Sequence, residues 1–195
     1  MLSRYRTFPF AVAFAGTLLV AGTVHSATPE EPEAVVPPEL SESARKAYNQ
    51  GLRDARELLA KKSYGPAVAK IDELLAIRPR EPQARFLKGV AQTEQGQNAV
   101  AIATFRDLIA DYPELPEPYN NLAFIYAQQG DYQSARVELE TAIRTAPDWA
   151  VAHENLGDVY ARMAAAEYNR AATLDRSNKT APGKLVLVRQ LLAPK

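Results

Sequence analysis

The stretch PEPYNNLAFIYAQQGDYQSARVELETAIRTAP, residues 116–147, decides the fold. On either side of Gly130, apolar residues recur at intervals of three and four, the spacing that places them on one face of an α-helix. Gly130 can end one helix and Asp131 can cap the next. The stretch therefore predicts a helical hairpin whose two amphipathic helices run over 116–129 and 131–145.

The hairpin recurs along the chain with a period of 34 residues, which the prolines at 79, 113 and 147 mark. A fixed period of this size indicates stacked supersecondary units. Small residues on the same period would let the two helices of each hairpin approach closely. These small residues are Ala55, Gly89, Ala123 and Gly157 in the first helices and Ala67, Ala101, Ala135 and, after a gap, Ala164 in the second helices.

The third repeat carries a known signature most completely. Its residues Tyr119, Leu122, Ala123, Tyr126, Ala135, Leu139 and Pro147 fit the pattern W-x2-L-G-x2-Y, then A-x3-F, then P. Over roughly 44–178 the chain resembles tetratricopeptide repeat (TPR) proteins. The resemblance implies an all-α solenoid of about 3.5–4 helical hairpins, with an array at 41–178. Its repeats would lie at about 48–81, 82–115, 116–149 and 150–178.

The fourth repeat lacks the turn between its helices. The sequence YAQQGDYQSARVELETA at 126–142 corresponds to YARMAAAEYNRA at 160–171, and the missing residues are GDYQS. Three consecutive alanines favour helix where the break should be. We predict a single helix from about 149 to 175, and a cramped hairpin with shortened helices is the alternative.

A short terminal helix is predicted for KLVLVRQLL at 184–192, after the helix-breaking stretch NKTAPGK. It lies in a terminal segment, 179–195. Repeat arrays need an end that covers their last apolar face. We expect this helix to cap the array.

The first 26 residues differ from the rest. The sequence MLSRYR has two arginines and no acid, and an uncharged, mostly apolar run follows at 8–24. This pattern is typical of a secretory signal peptide, and Val24 and Ser26 suit cleavage between Ser26 and Ala27. We therefore expect a periplasmic protein. An uncleaved inner-membrane anchor is the alternative, because the run approaches the roughly 20 residues that span a bilayer.

Composition excludes several classes of function. Basic and acidic residues both number 23, so no overall field draws the protein to nucleic acid. There is no cysteine, which excludes disulfides, thiolate catalysis and cysteine-based zinc sites, and export without disulfides suits a bacterial periplasm. Residues 27–40 hold four prolines and four glutamates and predict an extended linker.

The sequence carries no recognisable catalytic motif: no glycine-rich phosphate loop, no G-x-S-x-G and no Rossmann pattern. His153 and Glu154 begin like H-E-x-x-H, but Gly157 stands where the second histidine is needed. His153 occupies the aromatic position of its repeat, so we expect it to pack. Acids such as Glu138 and Glu140 are expected to be solvated. We predict no enzymatic activity, no metal site and no cofactor.

The TPR resemblance also implies where a partner would bind. In such arrays the second, fifth, ninth and thirteenth residues of each repeat usually line a concave surface. Here these positions hold Leu52, Arg56, Gln83, Phe86, Val90, Glu94, Glu117, Asn120, Phe124, Gln128, Glu154, Asp158 and Arg162. Our candidate partner-binding residues are Arg56, Phe86, Val90, Asn120, Phe124, Gln128, Asp158 and Arg162.

Phe86, Val90 and Phe124 would form an apolar strip, as recognition of a peptide or partner helix requires. The alternative is that the strip packs on the first helix or on the proline-rich linker. The lysine, asparagine and arginine that grip chaperone carboxylates in one TPR subfamily are absent, and leucines stand at two of those positions, 52 and 87.

These observations predict an exported adaptor or scaffold that binds another protein or peptide and contacts no nucleic acid. A membrane-anchored assembly subunit of an envelope complex is the alternative, with 8–24 retained. An enzyme whose site carries no motif is a third possibility. A closed, polar pocket holding a perturbed acid or base would favour the enzyme.

Overall fold

The computed structural model describes residues 40–193. In that range the chain is all-α, as predicted, with eight helices and no strand. The helices are α1 Glu42–Ala60, α2 Tyr64–Ile77, α3 Pro82–Glu94, α4 Asn98–Asp111, α5 Pro116–Gln128, α6 Tyr132–Thr145, α7 Ala150–Leu174 and α8 Thr180–Leu191. Each helix packs on the next, and α1 meets α3 and α3 meets α5. The predicted signal peptide, its cleavage site and residues 27–39 of the linker lie outside the described residues.

The small residues sit where paired helices cross. A Cβ atom on Gly89 of α3 would lie 2.5 Å from Cε1 of Phe105 on α4, closer than atoms can pack. Phe105 is fully buried. In the neighbouring hairpins Ala55 and Ala123 are buried in the same way, and so are the alanines at 67, 101 and 135 of the second helices. The small residues that recur on the 34-residue period therefore allow the close pairing of helices in the first three hairpins.

The three turns between paired helices share one backbone geometry. Lys62, Gly96 and Gly130 have positive φ angles of 58°, 76° and 81°, and they lie one period apart. The amide N–H of the next residue in each turn donates to a carbonyl five residues back, at 2.9 Å. This is the Schellman arrangement that ends a helix. Glycine adopts it without strain, whereas Lys62 does not.

The fourth repeat is a single helix. α7 runs unbroken over Ala150–Leu174, which confirms the predicted helix 149–175 and excludes the cramped hairpin. The expected tight pairing at Gly157 is wrong, because no atom of a packed element lies within 4 Å of a Cβ built there. Ala164 is likewise only half-buried. With the turn missing, no second helix folds back over these two positions.

The terminal helix forms and packs on α7, as expected for a cap. Buried Ala181 and Leu185 are on α8, and α7 is the helix it packs against. It begins at Thr180, four residues before the predicted start at 184. Asn178 explains the difference, because its Oδ1 accepts hydrogen bonds from the amides of Thr180 and Ala181, both at 3.0 Å. Within residues 40–193 none of the helices combines the length and apolar character needed to span a bilayer.

Replacing Gly157 and Gly89 with alanine should have opposite effects on stability. Gly157→Ala adds a methyl group in open space on a helix, so we expect a gain of about 1 kcal/mol. Gly89→Ala forces Phe105 to move and should cost about 1–3 kcal/mol. Urea unfolding followed by circular dichroism measures both. Equal effects would mean that a helix does pack over Gly157.

Replacing Lys62 with glycine should stabilise the first hairpin. The left-handed backbone at Lys62 strains a residue that has a Cβ, and its relief is worth up to about 1 kcal/mol. Lys61→Gly is the matched control, since Lys61 has an ordinary φ of −80° and should gain nothing. Thermal unfolding compares the two variants, and a gain at Lys61 as large as at Lys62 would contradict the strain at residue 62.

Candidate functional site

The candidate site is the face formed by the first helices of the four repeats, α1, α3, α5 and α7, which we call the concave face. Polar side chains join these helices across repeats. Arg56 of α1 donates from Nη2 to Oε1 of Gln83 on α3 at 2.9 Å. Asn155 of α7 donates from Nδ2 to Oδ1 of Asn120 on α5 at 2.7 Å. These bonds hold neighbouring first helices at a fixed spacing.

The structure places the predicted apolar strip in the interior. Phe86, Val90 and Phe124 are only 4%, 6% and 8% exposed, and all three belong to the main core cluster. The ring centroid of Phe86 lies 5.9 Å from that of Phe105 on α4. The expectation of an exposed strip is therefore wrong, because these side chains pack among the helices that carry them. Their role in binding stays a prediction.

The other predicted residues divide by exposure. Asn120 is buried, and its Oδ1 accepts the bond from Asn155 described above. Arg56, Asp158 and Arg162 are half-buried, and Gln128 is exposed. The face thus offers accessible polar groups around a buried apolar centre.

A buried acid on this face was not among the candidate residues. Glu117, in the first turn of α5, is 6% exposed, and its Oε2 has no hydrogen-bond partner. Burial raises the pKa of this carboxyl above its usual range, although its own backbone amide partly opposes the shift. Sequence reasoning placed Glu117 at a groove position, but nothing in the pattern signalled that it is buried and unpaired.

Arg56 is the other partly unsatisfied ion of the face. Its Nε is buried without a hydrogen-bond partner. Burial, helped by the positive charge of Arg53, lowers the pKa of the Arg56 guanidinium. Desolvated groups of this kind interact strongly with a ligand, because the dehydration cost has already been met by folding.

His153 does not pack as expected. It is exposed, and its Nε2 lies 2.8 Å from the carbonyl oxygen of Pro147. Tyr119, one repeat earlier, donates from its hydroxyl to the carbonyl oxygen of Pro113 at 3.1 Å. In the third and fourth repeats the aromatic position therefore ties the first helix to the proline before it. His153 forms this contact through its ring nitrogen, but its ring is smaller than that of tyrosine and stays exposed.

The expectation that Glu138 is solvated is also wrong. It is 6% exposed on α6 and forms an ion pair with Arg106 of α4. Hydrogen bonds from the Arg106 side chain reach both Glu138 and the hydroxyl of Tyr126. The pair links α4 and α6, the second helices of successive repeats.

Among residues 40–193, no three histidines or acids gather closely enough to hold a metal ion.

Two family models, both described as Tetratricopeptide repeat, match residues 52–116 and 92–158. Together they span more than half of the chain. The chain belongs to the tetratricopeptide repeat family. The TPR fold explains why small residues, turns and proline all recur on one period.

A curated relative is the tetratricopeptide repeat and J domain-containing co-chaperone DNJ1 of Cryptococcus neoformans. It is 26% identical over 99 residues, covering 51% of this chain and 19% of the relative. A second is protein O-mannosyl-transferase TMTC1 of Mus musculus, 29% identical over 97 residues, covering 48% of this chain and 10% of the relative. The chain thus spans a fifth or less of the curated TPR relatives it matches.

Solved structures share the TPR fold at low identity. The Sgt2 TPR domain from Aspergillus fumigatus matches with a TM-score of 0.58 at 16% identity, over 70% of this chain and 87% of that one. The first TPR of Spaghetti (RPAP3), bound to the HSP90 peptide SRMEEVD, matches with a TM-score of 0.54 at 13% identity. That match covers 61% of this chain and 94% of the other.

Glu117→Gln should make the stability of the TPR array less dependent on pH. Because burial raises the pKa of Glu117 in the folded state, the folded chain binds this proton more tightly than the unfolded chain. Stability is then lost as pH rises from the unfolded pKa through the folded one. Gln has no charge to bury, so the variant should be the more stable at pH 7 and about equal to wild type at pH 3.

Urea unfolding across that pH range measures this difference, and Glu114→Gln on the exposed loop serves as control. A stability difference that does not change with pH would contradict the raised pKa of Glu117.

Proposed function

We propose that the protein is an exported adaptor that binds a partner protein or peptide on its concave face and catalyses no reaction. One observation carries the proposal: the first helices of successive repeats form a continuous face that contains buried, incompletely paired polar groups, Glu117 and Arg56. Such groups gain most from a ligand that completes their hydrogen bonds. A protein of the same fold, the first TPR of Spaghetti (RPAP3), is bound to an HSP90 peptide, which supports this assignment.

The ligand of that relative is not expected here. Its peptide, SRMEEVD, has three acidic residues, whereas the unpaired group of this face is itself an acid, Glu117. Together with Leu52 and Leu87 at two positions of the carboxylate-binding clamp, this argues for a different class of peptide.

The exported location is part of the proposal and rests on the amino-terminal sequence. An uncharged run at 8–24 follows two arginines and precedes small residues. Cleavage between Ser26 and Ala27 would release the array into the periplasm. The alternative is a membrane-anchored assembly subunit that retains 8–24.

Site-specific photocrosslinking tests the adaptor function. A photoreactive residue at Gln128 or Arg162 on the concave side, incorporated in cells of the source organism, should capture one discrete partner. The same residue at Ile77 or Val137, which are 54% and 49% exposed on second helices, should capture none. Equal capture from both sets of positions would place binding elsewhere.

The amino terminus of this protein, isolated from the same cells and read by mass spectrometry, distinguishes a periplasmic location from a membrane-anchored one. A chain that begins at Ala27 supports the periplasmic adaptor. An intact terminus in the membrane fraction would favour the anchored subunit.

A further inference from the structure

The concave face contains a hydrogen-bond acceptor without its donor. Between the first and second repeats, Arg56 of α1 donates a hydrogen bond to Gln83 of α3. One period later the same two positions are Val90 and Glu117. The acceptor has become an acid while the arginine that would face it has become an apolar side chain. This substitution explains why Oε2 of Glu117 has no partner.

The surroundings of Glu117 would strengthen any charge pair formed there. Glu117 is only 6% exposed, and its Oε2 is buried. Water is therefore scarce around this carboxyl group, and an ionised carboxylate gains more from a cation there than in solvent. The carboxylate has two oxygens, which a guanidinium can bind in parallel.

We propose that the concave face binds a peptide segment that presents an arginine or lysine, and that the cation pairs with Glu117. The inference rests on the proposed adaptor function and specifies its partner. The basic side chain takes the place that Arg56 fills one repeat earlier. Long, unbranched stems favour arginine and lysine for this role, because a narrow apolar stem can reach an acid that is only 6% exposed.

A displayed library of random peptides, selected on the full chain, tests the proposal. Wild type should enrich peptides that contain a basic residue. Glu117→Gln keeps the shape of the side chain and removes its charge. This variant should lose the preference for basic residues and bind the peptides selected on wild type about tenfold more weakly or worse. Glu117→Lys should instead enrich acidic peptides.

Val90→Arg is the complementary variant, because it supplies the missing donor within the chain. It should abolish binding of the basic peptides, with circular dichroism checking that the fold is kept. Val90→Met, of similar bulk without charge, is the control and should retain binding. If Val90→Arg does not fold, the switch of preference in Glu117→Lys carries the test.

Each failure has a distinct meaning. Enrichment of peptides without basic residues by both wild type and Glu117→Gln would overturn the role of Glu117 and leave the adaptor function standing. No enrichment by wild type, together with no crosslinks from Gln128 or Arg162, would overturn both. Enrichment that appears only in the Arg4→Gln, Arg6→Gln double variant would make the chain's own amino-terminal segment the occupant and overturn the assignment to a partner.

Discussion

Two helices can pair closely in this protein only because the residue at their crossing has almost no side chain. At the second hairpin the ring of Phe105 occupies the space that a Cβ on Gly89 would need. Ala55 and Ala123 are the small, buried residues at the corresponding crossings of the neighbouring hairpins. Close crossing lets a large apolar side chain of the second helix fill the interior, and that burial is the main source of stability. The stacking of repeats depends on hairpins of this one thickness.

Ion pairs contribute less to the stability of the array than this apolar packing does. Lys88 and Asp72 join α3 to α2 at 3.0 Å, with both side chains well exposed, and such surface pairs are worth about 0–1 kcal/mol. Glu138 differs because it is buried, so removing Arg106 would leave its charge without a partner. The array therefore relies on apolar contact, and within residues 40–193 the buried carboxyl groups are those of Glu138 and Glu117. At Glu138 the charge is paired within the chain, and at Glu117 it is not.

The period of the sequence predicted the helices, the small-residue crossings and the long helix α7, because each depends on local propensity and on residues one period apart. It did not predict how closely neighbouring first helices approach, which depends on side chains from several repeats together. Phe86 and Phe124 were accordingly placed on an open surface, whereas they lie in the core. Glu117 was missed for a related reason. Its significance appears only when the Arg56–Gln83 bond is known and the same spacing is applied to Val90.

The missing turn has a mechanical consequence. α7 has 25 residues where α5 has 13, so at 1.5 Å per residue it extends about 18 Å further. A flexible linker of that many residues would let the carboxyl-terminal end wander, whereas an unbroken helix holds it at a set distance and direction. α8 packs on α7, and Lys184 of α8 lies over the ring of Tyr168 in this extension. The extension of α7 and the packed α8 therefore form a stiff unit whose position relative to the concave face is fixed by continuous helix.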